Sequence, residues 1–239
     1  MNFYKNVIEH RGKLLVRGIH DGKEYKEKID YSPTLYAITQ QQTDFQTLHG
    51  QYVKPIQFGN ISKARDFRRN YNTDNAPIFG MDRYQYQYIS DNYPDEIEYS
   101  KDHIKIFTVD IECACENGFP DVENPVEEIL AITVKNQSNK QIITWGTGEF
   151  KTDRPDVTYI RCKSEKSLIM EFMKFWIKNY PDIITGWNTK FFDIPYLMNR
   201  ICHIVDEKVI KRFSPWNLVE RESIVVRGRP QTHYSIFGI

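Results

Sequence analysis

The sequence predicts an α/β (α+β) chain in two parts: a β-rich N-terminal domain over residues 1–102 and a mixed sheet flanked by helices over residues 103–239. Three observations carry this. Short apolar runs before residue 32 are separated by tight-turn residues, Asp21-Gly22 above all. The acidic, turn-rich stretch from Asp91 to Asp102 marks a change of character. After it the pattern reads three strands, then strand, helix, strand, helix, an order that gives one sheet covered by helices.

Taken in order, Asn2 to Glu9 and Lys13 to Ile19 are strand-like runs separated by His10-Arg11-Gly12. Asp21-Gly22 then lies between the second run and Tyr25 to Ile29, a strong hairpin signal. Ser32-Pro33 ends this ribbon, and the polar, Gln-rich residues 38 to 51 are expected to form a loop. Ile61, Ala64, Phe67 and Tyr71 recur at helical spacing, so 61–71 reads as an amphipathic helix. Residues 72–77 read as a polar break ending in Pro77. Tyr84, Tyr86 and Tyr88 alternate with glutamines, which predicts a strand over 84–90 with the tyrosines on one face, either half-buried or available to stack on bases.

Beyond residue 102, Ile106 to Glu112 is apolar, β-branched and strand-like. Glu128 to Val134 and Lys140 to Trp145 form a second hairpin around Asn136 to Asn139, and Thr158 to Cys162 is a further short strand. Ser164 is placed to cap a helix that runs to Tyr180, with Leu168, Phe172, Phe175 and Trp176 on its core face. Pro181 stops it. Asp182 to Gly186 reads as a short buried strand, and Phe192 to Val205 as the next helix. The basic tail carries two strand-like runs, 223–227 and 232–237, separated by Gly228-Arg229-Pro230-Gln231, with Arg227 and Arg229 at the tip.

Composition excludes several classes. No apolar run approaches the roughly 18 residues of a membrane helix, and the N-terminus lacks a signal peptide's apolar core, so a cytoplasmic protein with no membrane partner is expected. The 32 basic and 32 acidic residues cancel, so net charge gives no pointer to nucleic acid, although local patches can hide in a balanced total. Cys113 and Cys115 form C-x-C without a second pair, and with Cys162 and Cys202 they read as structural thiols.

The informative residues are acids. In a strand, Asp110 and Glu112 point to one face while Val109 and Ile111 point to the other. Two neighbouring carboxylates repel unless a cation lies between them, and a divalent metal suits their hard oxygens. A strand end whose acids reach solvent is the other reading. Asp193, at the start of the second helix, fits either a helix cap or a further ligand.

Asp110-Ile111-Glu112 on a strand, followed about eighty residues later by Asn188-x-x-x-Phe192-Asp193, resembles the first two motifs of the DnaQ-like, ribonuclease H-fold 3′–5′ exonucleases. The flanks are similar to family B DNA polymerases of T-even-type bacteriophages: Phe107 to Glu112, Gly118-Phe119-Pro120, Thr185 to Asn188, Phe192 to Arg200 and Lys211 to Pro215. The resemblance covers nearly the whole chain. It implies a proofreading module in which Asp110, Glu112 and Asp193 hold two Mg²⁺ ions (or Mn²⁺), and in which Phe119, Trp187 and Asn188 meet the 3′ end of single-stranded or primer–template DNA. Arg227 and Arg229 would meet phosphate on a hairpin that helps part primer from template. Nucleotide and RNA are further implied partners, and a non-enzymatic RNA-binding subunit is the alternative. The family's fourth acid, in Tyr-x-x-x-Asp, is missing: four residues after Tyr196 and Tyr234 stand Arg200 and Gly238. The exonuclease fold is therefore expected to be incomplete here and to be finished by a second polymerase chain. His203 and Asp206 are the candidates if the fourth ligand lies within the chain.

Overall fold

A computed structural model describes the backbone of residues 1–73 and 77–239, and the side chains of 1–71 and 77–239. The break expected at 72–77 falls largely outside the described residues. The chain divides into two compact units, Met1–Tyr99 and Ser100–Ile239.

In the first unit, β1 (Phe3–His10), β2 (Lys13–His20) and β3 (Lys23–Ile29) form an antiparallel meander. Both of its turns pair a non-glycine at positive φ with a glycine: Arg11 at 51° and Gly12 at 75°, then Asp21 at 49° and Gly22 at 75°. Two successive positive φ values give the turn whose twist matches paired strands. A second sheet, ordered β5-β4-β6, joins β4 (Thr34–Ile38), β5 (Val53–Gln57) and β6 (Ile78–Phe79). Pro55 is tolerated because β5 lies at the edge. Helix α1 (Ile61–Thr73) buries Ile61 and Ala64 against Leu14, Val16 and Leu35.

The segment expected as a tyrosine strand is instead helix α2 (Tyr84–Asn92). Tyr84 and Tyr88 are 1% and 8% exposed while Tyr86 is 49% exposed, a four-residue period rather than a two-residue one. Burial of Tyr84 and Tyr88 beside Leu35 and Ile61 overrides the β preference of tyrosine. The three rings share no face, so a stacking platform is excluded.

The second unit is built on a five-stranded sheet ordered β10-β9-β8-β7-β11. Strands β7 (Ile106–Cys113), β8 (Ile129–Asn136) and β9 (Ile142–Gly146) are antiparallel, as the sequence pattern requires. Strand β10 (Val157–Arg161) runs parallel to β9, and β11 (Ile183–Thr185) parallel to β7. Helix α3 (Glu165–Asn179) starts at a capping box, in which the Ser167 N–H donates to Ser164 Oγ and the Ser164 N–H to Ser167 Oγ. Its Leu168, Phe172 and Trp176 are fully buried against Phe107, Trp145 and Phe213. The strand expected to be buried at 182–186 is an exposed edge instead: β11 has one neighbour, and Ile183 is 48% exposed.

Helix α4 (Asp193–Ile204) leads through the short α5 (Glu207–Ile210) to a hairpin of β12 (Val219–Val226) and β13 (Arg229–Ile236). Its turn is Arg227-Gly228, at φ 50° and 78°, and not the expected 228–231. Arg229 and Pro230 belong to the ladder, opposite Val226 and Val225. Among the described residues no helix is long and apolar enough to cross a membrane. All four cysteines are free thiols.

Candidate active site

Strand β7 places the first two acids. Phe107, Val109 and Ile111 are buried on its inner face, and Asp110 and Glu112 are exposed on the other. The neighbouring β11 accompanies only the first half of β7, pairing Ile183 to Thr185 with Ile106 to Thr108. Beyond that point the backbone of Val109 and Ile111 needs other partners. Side chains supply them. Thr189 Oγ donates to Val109 O at 3.5 Å, and Asp193 Oδ1 accepts from the Ile111 N–H at 3.1 Å.

The loop that delivers these side chains depends on two conformational choices. A Cβ at Gly186 would lie 2.0 Å from Thr189 Oγ and 2.6 Å from Val109 O, so only glycine lets the chain leave β11 this close to β7. Asn188 then adopts φ 55°, which asparagine tolerates, and its carbonyl accepts from the N–H groups of Phe191 and Phe192. Gly186→Ala is expected to force Thr189 aside and lower stability by about 1–3 kcal/mol, measured by urea denaturation.

Asp193 is the first residue of α4 and is 3% exposed. The cap position is Phe192, and the Asp193 carboxylate accepts from the Ile111 N–H as well as bonding its own backbone, so it ties α4 to the acid-bearing strand. Burial first, and then the nearby Asp110 and Glu112, push its pKa up to about 6 against the pull of the Ile111 N–H. The three predicted acids are thus electrostatically coupled. Among the described residues no three His, Cys, Asp or Glu side chains are gathered closely enough to hold a metal ion. The donor set is nonetheless all hard oxygen, and a divalent cation would offset the repulsion that Asp110 and Glu112 add to the effect of burial on Asp193.

The sign of the pH effect follows. An acid whose folded pKa exceeds its unfolded value holds an extra proton in the folded chain between roughly pH 4 and pH 6. Stability from this group therefore falls as pH rises through that window. Asp110→Asn removes one repelling charge and should lower the Asp193 pKa. Carboxyl titration by NMR in the presence of a chelator checks both expectations.

Two aromatic side chains on the surrounding loops stand in solvent. Trp187 is 93% exposed, so it is not core, and Asn188 beside it is also exposed. Phe119 is 85% exposed and rests its ring against Phe192 at a centroid distance of 5.3 Å, next to Asp193. A cleft of about 400 Å³ lies between the Phe119 loop and the hairpin, walled by Phe119, Pro120, Phe191 and Phe192 on one side and Pro230, Gln231 and Thr232 on the other. Arg227 and Arg229 are exposed at the hairpin end and do not line the cleft.

Comparison with protein-family models matches residues 48–239 to DNA polymerase family B, exonuclease domain. The chain belongs to that family. Among curated relatives, the DNA-directed DNA polymerase of Enterobacteria phage T4 is 28% identical over 99% of this chain and 29% of its own length. The DNA-directed DNA polymerase of Escherichia phage RB69 is 30% identical over 89% of this chain and 27% of its own length. The DNA polymerase delta catalytic subunit of Dictyostelium discoideum is 35% identical over 53% of this chain and 13% of its own length. The chain therefore spans less than a third of the phage relatives it matches.

Within this family B exonuclease domain, the sequence pattern missed the groups that hold the site together. Thr189 looked like an ordinary loop residue. Arg200 is buried and forms a two-pronged ion pair with Glu165, both contacts at 2.8 Å. The available signal is an arginine on the apolar face of the helix expected over 192–205. His203 and Asp206 do not join the acids. His203 is exposed ten residues along α4 from Asp193, about 15 Å by helical rise, and Asp206 caps α5 by accepting from the Lys208 N–H. The Cys113 thiol is pushed up to about 12 by burial and by Glu165, Asp193 and Glu112, so it stays protonated and is a poor ligand.

Proposed function

We propose that this chain is the proofreading 3′–5′ exonuclease part of a phage-type family B DNA polymerase, hydrolysing the terminal phosphodiester of a DNA strand. The observation that carries the proposal is Asp193, buried, bonded to the backbone of Ile111, and raised in pKa by that burial first and then by the two acids that flank Ile111. Asp110, Glu112 and Asp193 hold Mg²⁺ or Mn²⁺. When bound, the metal supplies Lewis-acid stabilisation and a water ionised near neutral pH. The protein's part is to fix the carboxylates: Asp110 and Glu112 by the β7 ladder, Asp193 by the Ile111 N–H.

Phe119 and Trp187 offer exposed rings on which a terminal base stacks without regard to sequence, which suits an enzyme that must accept any mispair. Asn188 meets the strand end, and Arg227 and Arg229 meet phosphate on the hairpin side. A second polypeptide completes the site with a fourth carboxylate. The test is to assay shortening of a single-stranded oligonucleotide with Mg²⁺ by this chain alone and with its candidate partner. Full activity of the chain alone would sink the completion by a second chain, and no activity in either arm would sink the exonuclease reading.

A further inference from the structure

We infer that Asn199 is a positioning residue that ties the β12–β13 hairpin to the loop carrying Phe119, and so sets the spacing of the two walls of the cleft; this rests on the exonuclease reading above. Helix α4 presents Tyr196, Asn199 and Arg200, at i, i+3 and i+4, to the backbone of the loop between β7 and β8. Tyr196 Oη donates to Glu127 O at 2.7 Å, Asn199 Nδ2 to Val122 O at 2.7 Å, and Arg200 Nη1 to Pro125 O at 2.8 Å and Val126 O at 3.0 Å. The loop is closed on itself by Glu127, whose Oε1 accepts from both the backbone and the side-chain amide of Asn117, two residues before Phe119.

Asn199 differs from its two neighbours because it uses both ends of its amide. Its Nδ2 faces a carbonyl, which can only accept, so its Oδ1 is left to accept, and there it meets the hydroxyl of Tyr234 on β13. Tyr234 is 7% exposed, so the donor end of this part-buried bond is shielded from water. On the outer side Arg221 of β12 reaches Glu123 of the loop at 2.6 Å and Thr232 of β13 at 3.4 Å, an exposed tie that salt screens. The wall formed by Pro230 to Thr232 and the wall formed by Phe119 and Pro120 are therefore joined through one half-buried amide. The acids are held by separate bonds. Loosening the tie moves the walls and leaves the chemistry in place.

Tyr234→Phe cuts the hairpin side of the tie and keeps the ring. Asn199→Asp keeps the acceptor for Tyr234 and sets a second acceptor against Val122 O. In the wild-type chain with its completing polypeptide, Tyr234→Phe is expected to raise KM for a single-stranded DNA end about five-fold, the worth of an ordinary hydrogen bond, with kcat within two-fold. Its effect is expected to be smaller when Phe119 is already alanine. Hydrogen exchange of loop amides 117–127 is expected to speed up in Tyr234→Phe, although that hydroxyl donates to Asn199 and not to the loop, and also in Asn199→Asp. Faster exchange confined to β13, or a fall in kcat at constant KM, would overturn the tie. If the wild type shortens no DNA, the exonuclease reading fails by itself, and the exchange pattern still decides whether Asn199 joins the two walls.

Discussion

Asp110→Ala is expected to reduce exonuclease turnover by about 10³-fold or more while leaving the fold intact. The size follows from the metal's role: loss of several kcal/mol of charge stabilisation in the transition state is about three decades in rate. The intact fold follows from placement. Asp110 lies on the exposed face of β7, and its backbone pairing with Thr133 does not involve the side chain. Removing it also takes away one charge that repels the buried Asp193 carboxylate, so thermal stability without metal should hold or rise. Single-turnover cleavage of a labelled strand, beside a thermal melt of each protein, checks the two halves. An active Asp110→Ala protein would remove this residue from the metal site.

Arg200→Met is expected to destabilise the second unit by about 3–5 kcal/mol, the usual cost of leaving a buried carboxylate without its cation. Glu165 and Arg200 are 9% and 6% exposed, and the pair is bonded at both prongs. Glu165 also accepts from the Ile129 N–H, at the first residue of β8, while Arg200 holds Pro125 O and Val126 O in the loop before it. The loss is thus more than one ion pair. A double change of Arg200 and Glu165 to methionine removes the stranded charge and should recover part of the stability, but not all, because the Ile129 N–H and two loop carbonyls stay unpaired. Urea denaturation of the single and double variants measures the difference; equal stability of wild type and Arg200→Met would contradict the account.

Features governed by local chemistry were legible in the chain. Asp21-Gly22 states its own turn, because few residue pairs accept two positive φ values. Asp110 and Glu112 declare a shared face through the period of two, and Ser164 declares its helix through a side chain that must meet a free N–H. Features governed by distant contacts were not. Strands β4 and β5 pair across an intervening polar loop that gives neither a hydrophobic signature. Helix α2 reads as a strand until Tyr84 and Tyr88 find a core on one side only. The turn of the last hairpin falls on Arg227-Gly228 because a glycine at positive φ decides it, whatever Pro230 suggests. At the candidate site, the pattern points to three acids, but it does not reveal the contacts of Thr189, Arg200 and Asn199. Their work is to satisfy backbone groups up to 80 residues away, and no spacing rule reveals such partners.

The central claim is that Asp110, Glu112 and Asp193 make one divalent-dependent centre that removes nucleotides from DNA 3′ ends. The most direct measurement follows a 5′-labelled single strand incubated with the chain, alone and with its candidate partner, with Mg²⁺ or with a chelator. The account predicts a ladder of products shortened one nucleotide at a time from the 3′ end, present with Mg²⁺ and absent with chelator. Shortening that persists in chelator, or a label released at once from the 5′ end, would contradict it.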